Sequence, residues 1–171
     1  MAGWPVINDD ERDEMLGIEK WVDEDCAARL FRTSKERNAR RGRYYLPDAI
    51  EVGPHKGQLF LFSRFNLDAA VARWDFTVGL GLRDPYGREY RLIRCNGPHG
   101  PHTNRLEGVT LPPVPHVHLM TERYQKGMAM RPEWRGDGYA EACDTYSDRN
   151  GALRHLASVA NIQAEGMMFL V

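Results

Sequence analysis

One stretch of this sequence is rich in histidine. Residues 94–124, RCNGPHGPHTNRLEGVTLPPVPHVHLMTERY, hold four of the chain's six histidines, which are His99, His102, His116 and His118. Imidazole has an ordinary pKa near 6.5, so it can bind a transition metal as a neutral ligand or transfer protons near neutral pH. Three interpretations fit this pattern: a metal centre, an acid–base nuclease site, and a structural loop that uses imidazole for hydrogen bonding.

A metal centre would use the histidines as ligands. His116 and His118 are one residue apart in PHVHL, so on a strand they point to the same side. Two more histidines from the preceding loop would complete four ligands for zinc or another divalent metal. The alternative ligand set is therefore His99, His102, His116 and His118. The spacing H-x2-H-x13-H-x-H is not accompanied by the cysteine pattern of common structural zinc sites. A metal is therefore the alternative here, and the leading hypothesis, described next, needs no cofactor.

The leading hypothesis is cleavage of RNA through its own 2′-hydroxyl group without a metal. This reaction needs a base, an acid and a cation that stabilises the charge on phosphorus. The candidate catalytic residues are His102, His116 and His118, which would transfer protons or hold the substrate. Arg94 would bind phosphate. The other candidate substrate-binding residues are Asn104, Glu122, Arg123 and Tyr124.

Charge along the chain favours a polyanionic partner. The net charge is −1, but residues 83–135 hold nine basic and five acidic residues. Such a basic region is typical of a surface that attracts nucleic acid. Trp134 lies in a predicted loop of this region and is a candidate for stacking on a base. The third interpretation needs no partner, because histidines can also hydrogen-bond the backbone of a glycine- and proline-rich loop.

The sequence from about residue 92 to 162 resembles a family of small bacterial and phage-borne proteins with no assigned function. The shared motifs are LIR, GPHTN, HVHL, TERY and VANI, and His99 lies outside them. The chain also resembles, more loosely, TumE-like toxins of toxin–antitoxin pairs, through an arginine at a strand end and a Pro-His-x-His element. These resemblances imply a toxin-like protein that acts on RNA, with a cognate antitoxin as partner. They also imply an alternative, a non-enzymatic mobile-element protein that binds and inhibits a host defence complex.

These residues need a scaffold, and the sequence predicts an α+β domain that spans residues 1–171. Apolar residues spaced by three and four predict an N-terminal helix over about 10–40, capped by Asp9 or Asp10. Alternation predicts strands over about 42–123, including a hairpin that turns at DPYG. Helical signal returns at about 139–162, with a break at Asn150-Gly151. We therefore expect one antiparallel sheet of four to six strands, with the N- and C-terminal helices packed against it.

Composition bears on the location of the protein and on the state of its cysteines. No apolar run approaches the roughly 20 residues of a membrane span, and the acidic N-terminus does not resemble a signal peptide, so we expect a cytoplasmic protein. The three cysteines form no CxxC pair and are expected to be reduced. Outside the histidine-rich stretch, His55 is predicted in a turn and His155 on a helix surface or half-buried.

Overall fold

The chain folds around one large antiparallel sheet, with helices packed on one of its faces. A computed structural model describes residues 5–31, 35–36, 39–72, 74–128 and 137–164. The helices are α1 (Asp9–Gly17), α2 (Asp25–Phe31), α3 (Ala69–Ala72), α4 (Glu122–Met128) and α5 (Arg149–Val159). None of these described helices is long and apolar enough to cross a membrane.

The strands belong to one large sheet and two small ones. They are β1 (Lys20–Val22), β2 (Lys35–Glu36), β3 (Ala39–Val52), β4 (His55–Asn66), β5 (Phe76–Arg83), β6 (Glu89–Asn96), β7 (His102–Asn104), β8 (Val109–Leu111), β9 (His116–Leu119), β10 (Tyr139–Ala142) and β11 (Ile162–Ala164). The large sheet has the order β10-β9-β6-β5-β4-β3-β2, and all its pairs are antiparallel. Within the described part of the chain it contains six strands and the two-residue β2, which confirms the predicted α+β class.

The predicted hairpin is present as β5 and β6. Asp84 begins the turn, and its carbonyl oxygen accepts a hydrogen bond from the backbone N–H of Gly87 at 2.9 Å. Gly87 has a φ of 81°, a conformation that favours glycine. The DPYG sequence therefore supplied both the position of the turn and the residue that its last position requires.

The two faces of the sheet differ in character. On one face, alternate residues of β4 and β5 such as Leu59, Leu61, Val78 and Leu80 are buried under α2 and α5 and form the core. On the opposite, open face, Gly79 and Gly81 leave room for aromatic rings from β4. A Cβ atom at Gly79 would lie 2.4 Å from a ring carbon of Phe62, and one at Gly81 would lie 2.6 Å from a ring carbon of Phe60. The two glycines thus let both rings lie on the sheet backbone.

The predicted N-terminal helix over 10–40 is wrong as one element. Helix α1 is capped by Asn8 and not by Asp9 or Asp10, and the chain is extended at Ile18, with φ −55° and ψ 131°. The segment then forms β1, which pairs in parallel with β11, before α2 begins. Most of the apolar side chains that predicted this helix are nevertheless buried, among them Met15, Val22, Cys26 and Leu30. Pairing of β1 with β11 therefore replaces part of the helix and still covers these side chains.

The predicted C-terminal helical segment also divides into two elements. Residues 139–142 form β10, which pairs with β9 at one edge of the sheet. Helix α5 begins at Arg149 because the Asp148 side chain accepts a hydrogen bond from the Gly151 N–H at 2.7 Å. Asn150 and Gly151 therefore lie in the first turn of the helix and do not break it.

Candidate functional site

Strand β9 places two of the histidines side by side on the open face. Val117 and Leu119 pack against the core, and the intervening His116 and His118 point to the opposite side. Both imidazoles are nevertheless buried, with His116 1% and His118 2% exposed. Their neighbours on edge strand β10 are alanines, Ala142 beside His116 and Ala140 beside His118, and these small side chains leave space for the rings.

The third imidazole, His102, comes from a separate two-stranded sheet. Strands β7 and β8 form a hairpin that lies against β10. The Asn104 side chain anchors it, since Nδ2 donates to the Ala140 carbonyl oxygen and Oδ1 accepts from the Ala140 N–H, both at 2.8 Å. As a result the His102 ring centroid lies 4.5 Å from that of His118 and 5.7 Å from that of His116. The centroids of His116 and His118 are 5.1 Å apart.

Backbone carbonyl groups fix the orientation of all three rings. His102 Nε2 contacts the Gly138 oxygen, His116 Nδ1 the Val114 oxygen and His118 Nδ1 the Asp137 oxygen, each at 2.8 Å. A carbonyl oxygen only accepts hydrogen bonds, so each of these nitrogens must carry the hydrogen. In a neutral ring the other nitrogen then has a lone pair that can accept a hydrogen bond or bind a metal, and in His116 this nitrogen lies 3.4 Å from the Asn96 amide. One nitrogen from each ring lies within 4.8 Å of the other two, which makes a potential set of three ligands.

Burial keeps two of these imidazoles uncharged. Desolvation is the main cause that lowers the pKa of His116 to about 4, against a smaller opposing contribution from its hydrogen bond to Val114. Desolvation, followed by the positive charge of Arg94, lowers the pKa of His118 to about 2. Both rings are therefore neutral at physiological pH. Neutral imidazole is the form that binds metals, whereas a general acid needs the protonated form.

An arginine and a carboxylate lie beside the cluster. Arg94 is the cross-strand neighbour of His118, and its Nε lies 3.0 Å from Oδ2 of Asp137. Asp137 is buried, and its backbone oxygen also accepts the hydrogen bond from His118. The residue predicted to bind phosphate is therefore adjacent to a histidine and paired with a buried carboxylate.

His99 takes a different position from the other histidines in its segment. It is exposed, its ring centroid lies 5.4 Å from that of His116, and its Nε2 lies 3.1 Å from Nδ2 of Asn96. The same amide nitrogen lies 3.4 Å from His116 Nε2. The group of three converging ligands does not include His99. Asn96 thus connects His99 to the cluster through a side-chain contact.

The remaining predicted site residues form a second polar group near α4. The Tyr124 hydroxyl donates to a carboxylate oxygen of Glu107, and Arg123 forms an ion pair with the same carboxylate. Glu122 pairs with Lys126 at 2.5 Å. Tyr124 and Arg123 thus meet at Glu107, and the Glu122 N–H donates to Asp9. Asn104 is buried against β10. The structure therefore brings together His102, His116, His118 and Arg94.

The histidines outside residues 94–124 have different surroundings from each other. His55 was predicted in a turn, but it is buried at the start of β4, with Nε2 3.1 Å from a carboxylate oxygen of Glu11. His155 is half-buried on α5, as predicted, and its Nδ1 lies 2.8 Å from the Thr145 hydroxyl oxygen. Trp134 lies outside the described residues. Asp137 was missed by the sequence analysis, and the only signal for it was a single carboxylate between two glycines in RGDGY.

Comparison of the chain with protein-family models, with curated proteins and with solved structures found no match. The resemblances to the phage-borne family and to TumE-like toxins therefore stay predictions.

Proposed function

We propose that the protein binds one divalent transition-metal ion, zinc in the first instance, through His102, His116 and His118. The observation that carries the proposal is the convergence of the three imidazoles, each of which donates its N–H to a backbone carbonyl group. Metal-bound histidines usually donate their other N–H to such an acceptor, which fixes the ring and raises its basicity. The cluster thus has both the ligands and the supporting hydrogen bonds of a metal centre.

Three converging ligands among the described residues favour a catalytic over a purely structural metal. Structural zinc sites usually have four protein ligands, whereas catalytic sites have three and leave a position for water. Three histidines are one of the known catalytic sets, and zinc held in this way makes its water acidic enough to supply hydroxide near neutral pH. The proposed activity is therefore metal-dependent hydrolysis, with Arg94 next to His118 as the cation that holds an anionic substrate.

The first experiment measures metal content in purified, untagged protein by elemental analysis. The wild type should contain about one equivalent of metal, and His102→Ala should lose it because two imidazoles bind weakly. His99→Ala is the matched control, since His99 belongs to the same segment but not to the converging group. It should keep the metal.

Two results would contradict the metal proposal. The wild type, after dialysis against zinc and removal of the excess, would contain no metal. Alternatively, His102→Ala and His99→Ala would retain metal equally. Circular dichroism of each variant establishes that it is folded. Because His102 is only half-buried, its replacement by alanine is less disruptive than replacement of His118 would be.

A second candidate function is metal-independent ribonuclease activity, which the position of Arg94 beside His118 favours. Burial of His116 and His118 argues against it, because at neutral pH neither ring carries the proton that a general acid must donate. The two mechanisms predict different responses to a chelator. RNA cleavage that persists in EDTA, and is lost in His118→Gln, would support the metal-free mechanism.

The toxin-like role is part of the same second proposal. It would place the protein in the cytoplasm with a cognate antitoxin, or, in the non-enzymatic alternative, on a host defence complex. These partners are supported by the sequence resemblance alone. Co-expression with the product of the neighbouring gene tests them, since an antitoxin should relieve growth inhibition caused by the protein.

A further inference from the structure

The open face of the large sheet carries a dense set of arginines. They are Arg41 and Arg43 of β3, Arg64 of β4, Arg83 of β5, and Arg91 and Arg94 of β6. Each occupies a position whose side chain points away from the core, opposite or beside Phe60, Phe62 or the two glycines on which these rings lie. We call these six residues the arginine face.

Carboxylates pair with several basic groups on this side of the sheet. Glu89 pairs with Arg43, Asp75 with Arg64 at 2.8 Å, Asp137 with Arg94 at 3.0 Å, and Glu51 with Lys56 at 2.9 Å. Arg41, Arg43 and Arg83 are exposed. Six arginines on one face of a sheet concentrate basic groups locally, although the protein's net charge is −1.

Aromatic rings lie between these cations. Arg43 lies 5.0 Å from the ring centroid of Phe60, Arg91 5.6 Å from that of Phe62, and Arg83 5.9 Å from that of Tyr45. Phe60 is buried beneath its neighbours, whereas Phe62 and Tyr45 are half-exposed. A positively charged sheet with accessible aromatic rings can bind the phosphates and stack the bases of one nucleic acid strand.

The surface is continuous with the histidine cluster. In one cross-strand row, Arg43 lies opposite Phe62, Phe62 opposite Gly79, Gly79 opposite Arg94, and Arg94 opposite His118. Four strand spacings make this row about 19 Å long. A chain of phosphates bound along the row therefore ends beside the proposed metal ligands.

We propose that the arginine face binds single-stranded nucleic acid. A single strand fits better than a duplex because stacking on Phe62 and Tyr45 requires unpaired bases. The binding itself is independent of the metal. The further step, that the row brings a phosphodiester to the histidines as substrate, rests on the proposed metal function.

The test measures fluorescence anisotropy of a labelled oligouridylate of about ten nucleotides, a length within the usual range of single-strand sites. Wild-type protein should bind it at about 50 mM salt and lose affinity steeply towards 200 mM. The double variant R41E/R83E should bind at least tenfold more weakly, with a salt slope reduced by about 2. F62L keeps apolar volume but removes the stacking ring, and should weaken binding by about tenfold.

Two controls separate this proposal from the metal proposal. R154E reverses one charge on an exposed residue of α5, the helix that packs on the opposite face, and should bind like the wild type. His102→Ala should lose metal but keep oligonucleotide affinity, whereas R41E/R83E should keep metal. Wild-type protein that holds metal but does not bind the oligonucleotide would contradict the arginine-face proposal alone. Wild-type protein that binds the oligonucleotide but holds no metal would contradict the metal proposal alone.

Three outcomes would overturn the proposal: no binding by the wild type at low salt, equal binding by R41E/R83E and R154E, or unchanged affinity in F62L. Competition provides a further condition. Unlabelled single-stranded oligonucleotide should displace the probe, while a duplex or heparin at equal charge should do so at least tenfold less well. Equal competition by heparin would mean that the arginine face binds anions without specificity. It would contradict the proposal that bases stack on Phe62 and Tyr45.

Discussion

Burial of His116 and His118 links the histidine cluster to the pH dependence of folding. The pKa of His116 is lowered from 6.5 to about 4, and that of His118 to about 2, mainly by desolvation. The unfolded chain therefore takes up protons at a higher pH than the folded chain, so stability falls as the pH falls below about 6.5. The loss continues until the folded-state pKa is reached.

The metal-free protein should lose about 2 kcal/mol of unfolding free energy for each of these histidines between about pH 6.5 and about pH 5. Urea titrations at the two pH values measure this difference. In His116→Asn, whose amide nitrogen can take the place of Nδ1 and donate to the Val114 oxygen but does not titrate, the loss should be smaller by about 2 kcal/mol. The same pH dependence in both proteins would contradict the assignment of a neutral, buried His116.

Asn104 shows how a residue that resembles a substrate ligand can have a structural role. Its amide forms two 2.8 Å hydrogen bonds to the backbone of Ala140, and thereby holds the strand that carries His102 against β10. Replacement by alanine should cost about 1–3 kcal/mol, because buried backbone groups lose their partners. Thermal or urea unfolding measures the loss.

The neighbouring Thr103 supplies the control for Asn104. Its side chain is exposed and contacts only Thr110 among its described partners, at 2.9 Å, so Thr103→Ala should change stability by less than about 0.5 kcal/mol. Asn104→Ala should also weaken metal binding, since His102 loses its anchored strand. Unchanged metal affinity in this variant would mean that His102 is positioned by other contacts.

At the level of strands and helices, local sequence patterns predicted secondary structure correctly where the strands that pair are near each other in sequence. The β5–β6 hairpin has clear alternation and a turn sequence, and it formed as predicted. The N-terminal segment has equally regular spacing, but Lys20–Val22 pairs with Ile162–Ala164 instead of continuing α1. Periodicity in a sequence shows which residues will be buried and does not show which distant segment will cover them.

The same distinction applies to the histidine cluster. The shared direction of His116 and His118 follows from strand alternation and was predicted. The approach of His102 depends on a contact between Asn104 and Ala140, 36 positions apart. Burial and the carbonyl partners of the rings also depend on long-range packing. The sequence therefore identified His102, His116 and His118 as candidates and kept His99 only as an alternative ligand, whereas the position of His99 outside the converging group follows from the fold.

Lys20 connects the elements that the predicted long helix would have kept apart. Its buried Nζ donates to the carbonyl oxygens of Leu16, Ile18 and Ala160 at 2.9, 2.6 and 2.8 Å. Lys20→Met should destabilise the fold by about 3 kcal/mol, because three buried acceptors lose their donor. Lys56→Met is the matched control, since Lys56 forms an exposed pair with Glu51 and should cost about 1 kcal/mol or less. Urea unfolding of the two variants compares them, and equal losses would contradict the role of Lys20.

Metal binding should raise the stability of the whole domain. A ligand that binds only the folded state at 100 times its dissociation constant adds about 2.7 kcal/mol. For a chain of this size that corresponds to a rise in melting temperature of about 5–10 °C. Scanning calorimetry with zinc and with EDTA measures the shift. His102→Ala should show no difference between the two conditions, and a shift equal to that of the wild type would mean that zinc acts elsewhere.

The pairing of β1 with β11 also has a consequence for how the protein is made. Lys20 and its acceptor at Ala160 are 140 positions apart, so ribosomes need on the order of ten seconds to synthesise the chain between them. Throughout that interval β1 has no strand to pair with, whereas the partners of α2, strands β3 and β4, are already present. The pairing of β1 is therefore among the last steps open to the chain during synthesis, although β1 is among the first segments made.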